Sequence, residues 1–265
     1  MKMKNASEIV ALARNQSKMT TRDWIHALCT NFIECKGDRC FGDDLAILGG
    51  IAQFNQRAVT VIGTQKGTDL KSNLECHFGS PLPEGYRKSY RLMEQAEKFQ
   101  RPILTFINTA GANCSIESES RGIGEAIAQN LLLMSQLSVP IISVIIGEGG
   151  SGGALALALA NKVYMLEHSM YAILSPEGFA SILWKDATLA HQAAELMQLT
   201  PDELLNKHII DGIFRETLGD KRKKVKSQQE IVHSVKEQIQ ADLMIFDKMT
   251  RHDIIQQRQK RFRLF

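Results

Sequence analysis

The chain has 265 residues, of which 44% are hydrophobic and 23% charged, a composition typical of a soluble globular protein. Its net charge of +3 is too small to favour nucleic acid as the main partner. The sequence contains no apolar run long enough to span a membrane and no recognisable signal peptide, so we predict no membrane segment and a cytoplasmic location. The five cysteines form no C-x-x-C pair, which argues against a disulfide framework and against a zinc site in this chain.

Short apolar runs alternate with helical segments along most of the chain. Residues 5–35 have apolar positions at helical spacing, and Thr20 or Thr21 is a candidate N-cap. Strands are predicted over 46–54, 58–63, 103–108, 140–147, 162–167 and 170–175, with a hairpin joining the first two. Helices are predicted over 83–99, 117–137, 153–160 and 176–184. This order predicts a stack of similar turns, each with one or two strands and a helix.

The last part of the chain has a different composition. After Leu218 the sequence becomes polar, and the basic run over 221–224 is typical of a solvated loop. A long helix is predicted over 230–258, with one apolar stripe made of Ile231, Val235, Ile239, Leu243 and Phe246. The stripe predicts that this helix packs either on its own domain or on a partner subunit.

The segment VIIGEGGSGGALALALA, residues 144–160, matches two familiar motifs. Gly147, Gly149 and Gly152 fit the dinucleotide-binding pattern G-x-G-x-x-G, with Glu167 as a candidate ribose-binding acid. The second motif is the nucleophile elbow G-x-S-x-G of serine hydrolases, centred on Ser151. Candidate partners for that serine are His168, His191 or His208, with Asp186 or Asp202.

A third interpretation of the same segment needs neither motif. Gly152 and Gly153 follow a predicted buried strand and begin a predicted helix. Backbone N–H groups at a helix N-terminus, unshielded by side chains, can stabilise an anion. The pair is therefore a candidate oxyanion hole.

Four segments together resemble the carboxyltransferase alpha subunit of bacterial multi-subunit acetyl-CoA carboxylase. They are GDRCFGDDLAILGGIA (37–52), IGTQKG (62–67), FGSPLPEGYRKSYRLMEQAEKF (78–99) and the glycine-rich segment continued to SPEGFASILWK (144–185). The resemblance covers about residues 20–218 and implies an α/β, crotonase-like (ClpP/crotonase) spiral of repeated ββα units with N- and C-terminal helical extensions. We expect one structural domain, with an N-terminal helical segment (1–36), a carboxyltransferase core (37–218), and a basic linker and C-terminal helix (219–265).

The resemblance also implies a reaction and its partners. The family transfers the carboxyl group of carboxybiotin, held on the biotin carboxyl carrier protein, to acetyl-CoA and forms malonyl-CoA for fatty acid biosynthesis. This chain would be active only with a beta subunit that carries a zinc ribbon, most simply as an alpha2beta2 heterotetramer that also works with biotin carboxylase.

By the same resemblance, Gly152 and Gly153 would form the oxyanion hole for the biotin ureido oxygen, and Gly149 and Gly150 would shape the turn. Lys66, Arg87 and Lys88 would hold loops near the CoA or biotin entrance. Gly111 belongs to a loop that would face the same pocket, and Glu177 and Lys185 would fix their helix against a partner.

This chain departs from the family pattern at one loop. INTAGANCS (107–115) replaces IDTPGAYPG, so that Asn108 stands for an acid, and Ala110 and Cys114 stand for prolines. Thr64 stands where a histidine is common. These changes keep open a second hypothesis, a diverged non-catalytic paralogue that acts as a scaffold or regulator of a carboxylase complex. An NAD-linked oxidoreductase is a third.

Overall fold

A mixed sheet forms the centre of the computed structural model, which describes residues 5–218 and 224–264. Its strands are β1 (Thr30–Glu34), β2 (Ile47–Phe54), β3 (Arg57–Thr64), β4 (Ile103–Thr109), β5 (Ile141–Gly150), β6 (Lys162–Leu166), β7 (Met170–Ala172) and β8 (Gly212–Phe214). Within the described residues, β9 (Thr217–Leu218) and β10 (Lys224–Val225) form a separate antiparallel pair.

Helices cover both faces of this sheet. They are α1 (Ala6–Ala13), α2 (Thr21–Leu28), α3 (Leu70–Glu75), α4 (Pro83–Lys98), α5 (Ile116–Ser120), α6 (Ile123–Gln136), α7 (Ser151–Ala158), α8 (Pro176–Trp184), α9 (Ala190–Met197), α10 (Pro201–Asn206), α11 (Gln228–Phe246) and α12 (Arg251–Phe262). Among the residues described, no helix is both long and apolar enough to cross a lipid bilayer.

The strand order is β1-β2-β3-β4-β5-β6-β8, with β7 paired to β5. β1, β2 and β3 are antiparallel neighbours, whereas the pairs from β3 onward are parallel. Each parallel step needs a crossover, and a helix supplies it. The first unit (β2, β3, α4) and the last (β6, β7, α8) have two strands before their helix. The units that begin with β4 and with β5 have one strand each.

Alternate residues of β5 face two different hydrophobic cores. Ile142, Val144 and Ile146 pack with residues of α2 and α11. Ile141 and Ile145 pack with residues of α4, α6 and α7 on the other face. Since every residue of β5 is buried, this strand is the central layer of the molecule.

Several predicted elements are confirmed. The hairpin between β2 and β3 turns at Asn55 and Gln56, which both have positive φ, as a two-residue turn of type I′ requires. Thr20 caps α2, because its hydroxyl accepts from the Asp23 N–H and the Asp23 carboxylate accepts from the Thr20 N–H. The C-terminal apolar stripe packs on the chain's own core, beside Trp24.

Three predictions of element extent were wrong. Residues 30–34 form a strand, because pairing with β2 outweighs the helical spacing of their apolar residues. The helix predicted over 117–137 is two helices that meet at Gly122, which has φ +79°. The predicted C-terminal helix is also interrupted, because Thr250 and Asp253 form a capping box that begins α12.

The predicted boundaries at 36/37 and 218/219 stay predictions. Most of the basic run predicted as a solvated loop, residues 221–223, lies outside the described residues. What the fold does establish is where the glycine-rich segment lies. β5 ends and α7 begins at the carboxyl edge of the parallel strands, where ligands bind in open α/β sheets.

Candidate functional site

The turn from β5 into α7 has an unusual backbone. Gly150 is the N-cap of α7 and provides no side-chain hydrogen bond to the helix. Ser151 has φ +56°, in the left-handed region that non-glycine residues rarely adopt. The first N–H groups of a helix have no acceptor within the helix, so this turn presents donors that no side chain of the N-cap residue can satisfy.

Gly150 and Gly153 are glycines because a neighbouring loop lies against them. A Cβ on Gly150 would come within 2.1 Å of the Ala110 carbonyl oxygen. On Gly153 it would lie 2.4 Å from Ala112 N and 2.8 Å from Gly111 C. These neighbours are backbone atoms, which cannot rotate away. The loop after β4 and the start of α7 therefore touch through their main chains.

Gly152 has the opposite environment. The nearest atom to a Cβ placed there is a methyl carbon of Ile127 at 3.9 Å. The residue opens onto a cavity of about 760 Å³, whose walls are mainly apolar and include Leu155, Tyr171, Phe179 and Leu196. The predicted oxyanion-hole pair thus has one glycine packed against a loop and one facing a large apolar cavity.

A chain of ion pairs supports the end of β5. The Lys66 Nζ donates to Glu148 Oε2 at 2.6 Å, and the Arg14 Nε donates to Glu148 Oε1 at 2.7 Å. Arg14 also donates to both carboxylate oxygens of Glu177, at 2.7 and 3.1 Å. Burial raises the pKa of Glu148, but Lys66 and then Arg14 outweigh it and hold the pKa below its ordinary value. Lys66 and Glu177, predicted separately, are therefore joined through Arg14 and Glu148.

The two departures at Asn108 and Thr64 are in direct contact. The Asn108 N–H donates to Thr64 Oγ1 at 2.6 Å. The Asn108 Oδ1 accepts from the Glu148 N–H at 3.0 Å and lies 2.5 Å from where a Cβ of Gly147 would be. The amide oxygen of Asn108 accepts this hydrogen bond as a carboxylate oxygen would. Unlike the acid of the family pattern, it places no negative charge beside Glu148. The altered loop is thus tied to the end of β5 without an acid.

Arg87 and Lys88 hold a loop of their own chain. The Arg87 Nε donates to Asp38 Oδ2 at 2.8 Å, and the buried Lys88 Nζ donates to Asp43 Oδ1 and to the Asp44 carbonyl. Burial raises the pKa of Asp38, but the Cys40 N–H, Arg87 and two further N–H groups bring it to about 2. Both cations are engaged by residues 38–44.

Two other predicted residues have local roles. Lys185 has φ +60° and ends α8 as its left-handed C-cap. Gly111 has φ +147°, a conformation that side chains disfavour. The Gly111 N–H donates to Thr109 Oγ1 at 3.0 Å, a bond within the loop that approaches the start of α7 at Gly153.

Three of the residues named in the other two interpretations of the glycine segment are engaged elsewhere. Glu167 accepts from the N–H groups of Glu216 and Thr217, so it ties β6 to β9. The His168 Nδ1 lies 3.2 Å from Glu216, and Asp202 pairs with Arg215. Ser151 does lie at a strained strand-to-helix turn, but these candidate partners are held by residues other than that serine.

Arg14, Glu148 and Tyr86 belong to the site and were not singled out from the sequence. The Tyr86 hydroxyl lies 2.7 Å from where a Cβ of Gly153 would be. Glu148 lies within the glycine segment, so its position among the glycines was a usable signal. Arg14 belongs to no sequence motif, and only the packing of α1 brings it to the site. In the described ranges 5–218 and 224–264, no group of three or more His, Cys, Asp or Glu is arranged to hold a metal ion.

The sequence matches the profile of a family described as acetyl co-enzyme A carboxylase carboxyltransferase-like, over residues 2–265. It is 53% identical over 261 residues to the acetyl-coenzyme A carboxylase carboxyl transferase subunit alpha of Streptococcus pneumoniae serotype 4 (strain ATCC BAA-334 / TIGR4). That alignment covers 98% of this chain and 100% of the relative. The protein of the same description from strain P1031 matches to the same extent.

Solved structures with a similar fold are carboxyltransferases and a decarboxylase. Transcarboxylase 12S has a TM-score of 0.72 at 17% identity, over 91% of this chain and 44% of that chain. The beta subunit of P. aeruginosa geranyl-CoA carboxylase has a TM-score of 0.68 at 14% identity, over 93% of this chain and 45% of that chain. A Pseudomonas malonate decarboxylase hetero-tetramer has a TM-score of 0.67 at 14% identity, over 89% of this chain and 90% of that chain.

At these identities the structural similarity concerns the fold, and it confirms the predicted crotonase-like fold. This chain spans less than half the length of the first two structures. The match to the curated relatives, by contrast, extends over nearly all of this chain and all of theirs. The chain therefore belongs to the acetyl co-enzyme A carboxylase carboxyltransferase-like family.

Proposed function

We propose that this chain is the alpha half of an acetyl-CoA carboxylase carboxyltransferase. The reaction transfers a carboxyl group from carboxybiotin on the biotin carboxyl carrier protein to acetyl-CoA and forms malonyl-CoA. Family membership and the name of the 53% identical relatives support it. The structural observation that carries the proposal is the turn at Gly152 and Gly153, where a helix N-terminus without a side-chain cap meets a large apolar cavity.

The residues at this turn fit the ureido group of biotin. Gly152 leaves open space above its backbone, and the cavity beside it is mainly apolar and large enough for a bicyclic ring. Carboxybiotin supplies an activated carboxyl group, whose transfer leaves negative charge on the ureido oxygen. The N–H groups of Gly152 and Gly153 would donate to that oxygen. Each donor aimed at developing charge contributes about 3 kcal/mol to the transition state.

The remaining predicted residues act by holding this turn and the loops around it. Lys66 and Glu177 support the end of β5 through Glu148 and Arg14, and Gly149 and Gly150 allow the chain to pass close to β7 and to Ala110. Gly111 lets the loop after β4 lie on Gly153. Arg87 and Lys88 fix residues 38–44 and are not free cations for a phosphate. In this proposal none of these side chains takes or gives a proton.

The proposal makes this chain one half of a composite site. A beta subunit with a zinc ribbon would bind the thioester side of acetyl-CoA, in an alpha2beta2 assembly that works with biotin carboxylase and the carrier protein. Four exposed apolar residues lie just after β7 and on α8 and α9, beside the cavity, and they provide surface for such a subunit: Ile173, Ile182, Leu183 and Leu196. The cytoplasmic location predicted from the sequence is kept as part of the proposal.

A matched pair of glycine substitutions tests the proposal. Gly153→Ala places a methyl group against Gly111 and Ala112, so we expect malonyl-CoA formation by the complex with the beta subunit to fall at least about a hundredfold. Gly124→Ala in α6 meets no atom within 4 Å and is expected to keep full activity.

Malonyl-CoA is measured from acetyl-CoA and the carboxylated carrier protein, with assembly checked by gel filtration. An assembled wild-type complex without turnover contradicts the proposed function. Equal turnover of the Gly153→Ala and wild-type complexes contradicts the role of the turn, whereas the absence of turnover from both favours a non-catalytic scaffold.

A further inference from the structure

One buried hydroxyl lies under the junction of the two segments that form the candidate site. Tyr86 is fully buried in α4, within PEGYRK. Its hydroxyl oxygen has no hydrogen-bond partner in the part of the chain that the structure describes. A buried polar atom without a partner destabilises the folded state, and such atoms are rare in folded proteins. A phenylalanine would lack this unpaired oxygen, so the presence of a tyrosine requires an explanation.

The hydroxyl has one backbone neighbour that also lacks a partner. Tyr86 Oη and Ala112 N lie 2.7 and 2.4 Å from the same point, the place where a Cβ of Gly153 would be. On either side of Ala112 the loop amides are bonded, since Gly111 N donates to Thr109 Oγ1 and Asn113 N donates to the Pro81 carbonyl. Among the described residues, the Ala112 N–H donates no hydrogen bond.

The protonation state and the burial of Tyr86 limit what its hydroxyl can bond to. Burial, and then the charge of Asp44, raise the pKa of Tyr86 far above its ordinary value, so the phenol stays protonated. It has no access to solvent and so cannot touch a ligand in the cavity. A neutral hydroxyl in this place can accept from one backbone N–H and donate to one carbonyl. Tyr86 packs in one cluster with Ala156 of α7 and with Ala112 of the loop after β4.

We propose that Tyr86 is a positioning residue of the transfer site, whose hydroxyl accepts a hydrogen bond from the Ala112 N–H when the beta subunit and biotin complete the site. The bond holds the loop after β4 against Gly153 and so fixes the direction of the Gly152 and Gly153 N–H groups. The unpaired hydroxyl of the isolated chain is thus satisfied in the assembled state. This inference rests on the proposed function.

Replacing Tyr86 by Phe removes only the oxygen. Because that oxygen has no partner in the isolated chain, we expect the melting temperature of Tyr86→Phe to equal or exceed that of the wild type. In the complex with the beta subunit we expect kcat to fall about tenfold with KM for acetyl-CoA unchanged, because the bond positions the donors to the biotin oxygen and does not contact acetyl-CoA. Tyr90→Phe, one turn along the same helix and beside Glu94, is the matched control and is expected to retain kcat.

Amide hydrogen exchange at Ala112 provides a readout that does not depend on turnover. In the wild-type complex, free biotin is expected to slow exchange at Ala112, and in the Tyr86→Phe complex it is expected to leave exchange unchanged. An unchanged kcat, a lowered melting temperature, or equal protection of Ala112 in both complexes overturns the inference. If the wild-type complex makes no malonyl-CoA, the proposed function is wrong, and the exchange measurement alone decides the role of Tyr86.

Discussion

At the scale of single residues, one shared carboxylate joins two cations at the candidate site. Glu148 is almost completely buried and accepts from both Lys66 and Arg14. Removing its charge leaves two cations close together without their anion, which is costly in a partly buried site. The network was not foreseen, because Arg14 and Lys66 are far apart in sequence and only the packing of α1 beside β5 joins them.

We expect Glu148→Gln to lower the free energy of unfolding by about 2 kcal/mol at pH 7. The pKa of Glu148 is lowered in the folded state, so its contribution is fully present above the unfolded value and is lost as the pH falls through the folded value. The difference from the wild type should therefore stay constant between pH 6 and 8 and shrink on acidification below about pH 4. Urea unfolding at several pH values measures it.

Glu177→Gln is the control for that measurement. Glu177 bonds to the same Arg14 but its side chain is 45% exposed, so its loss is expected to cost less than about 1 kcal/mol. Equal losses for Glu148→Gln and Glu177→Gln, or a difference from the wild type that grows on acidification, would contradict this account.

At the scale of secondary structure, strong local signals predicted the elements well and weak ones failed at boundaries. The β2–β3 hairpin and α4 were predicted nearly in full, because alternation, a turn sequence and Pro83 at the start of the helix agree. The strand β1 was predicted as helix, since its assignment comes from pairing with β2 and not from its own pattern. Capping boxes were the neglected signal: Thr250 and Asp253 mark the start of α12 in the sequence itself.

The cap at Thr250 provides a test at this scale. Its hydroxyl accepts from the Asp253 N–H, so we expect Thr250→Ala to lower the free energy of unfolding by about 1 kcal/mol. Thr250→Ser keeps the hydroxyl and is expected to match the wild type. Urea unfolding monitored by circular dichroism measures both. If Thr250→Ser loses as much as Thr250→Ala, the hydroxyl is not what begins α12.

At the scale of the whole molecule, a buried cation attaches the last helix to the end of α6 and to the segments that precede β5 and β6. Arg258 in α12 is inaccessible to solvent and donates to the carbonyls of Met134, Leu137 and Val139 and to Asn161 Oδ1. Burial lowers its pKa to about 9, so it remains charged at neutral pH. The two carbonyls at the end of α6 thereby gain the donor that a helix C-terminus lacks.

We expect Arg258→Met to lower the free energy of unfolding by about 3–5 kcal/mol, because four buried acceptors lose their donor. Arg263→Met, five residues later and exposed, should change it by less than about 0.5 kcal/mol. Chemical denaturation of the isolated chain compares the two. A small loss for Arg258→Met would show that apolar packing alone holds α12 in place.

The sequence by itself determined the fold class, the family and the glycine turn, since glycine density after a buried apolar strand and the motifs around it are local features. Only the tertiary structure decided what the turn packs against. Gly153 meets the loop after β4 because parallel pairing of β4 and β5 brings their carboxyl ends together. Lys66 and Glu177 became one network through Arg14, and Thr64 and Asn108 became one contact. Contacts between residues distant in sequence depend on packing and pairing register, and no local sequence pattern predicts them.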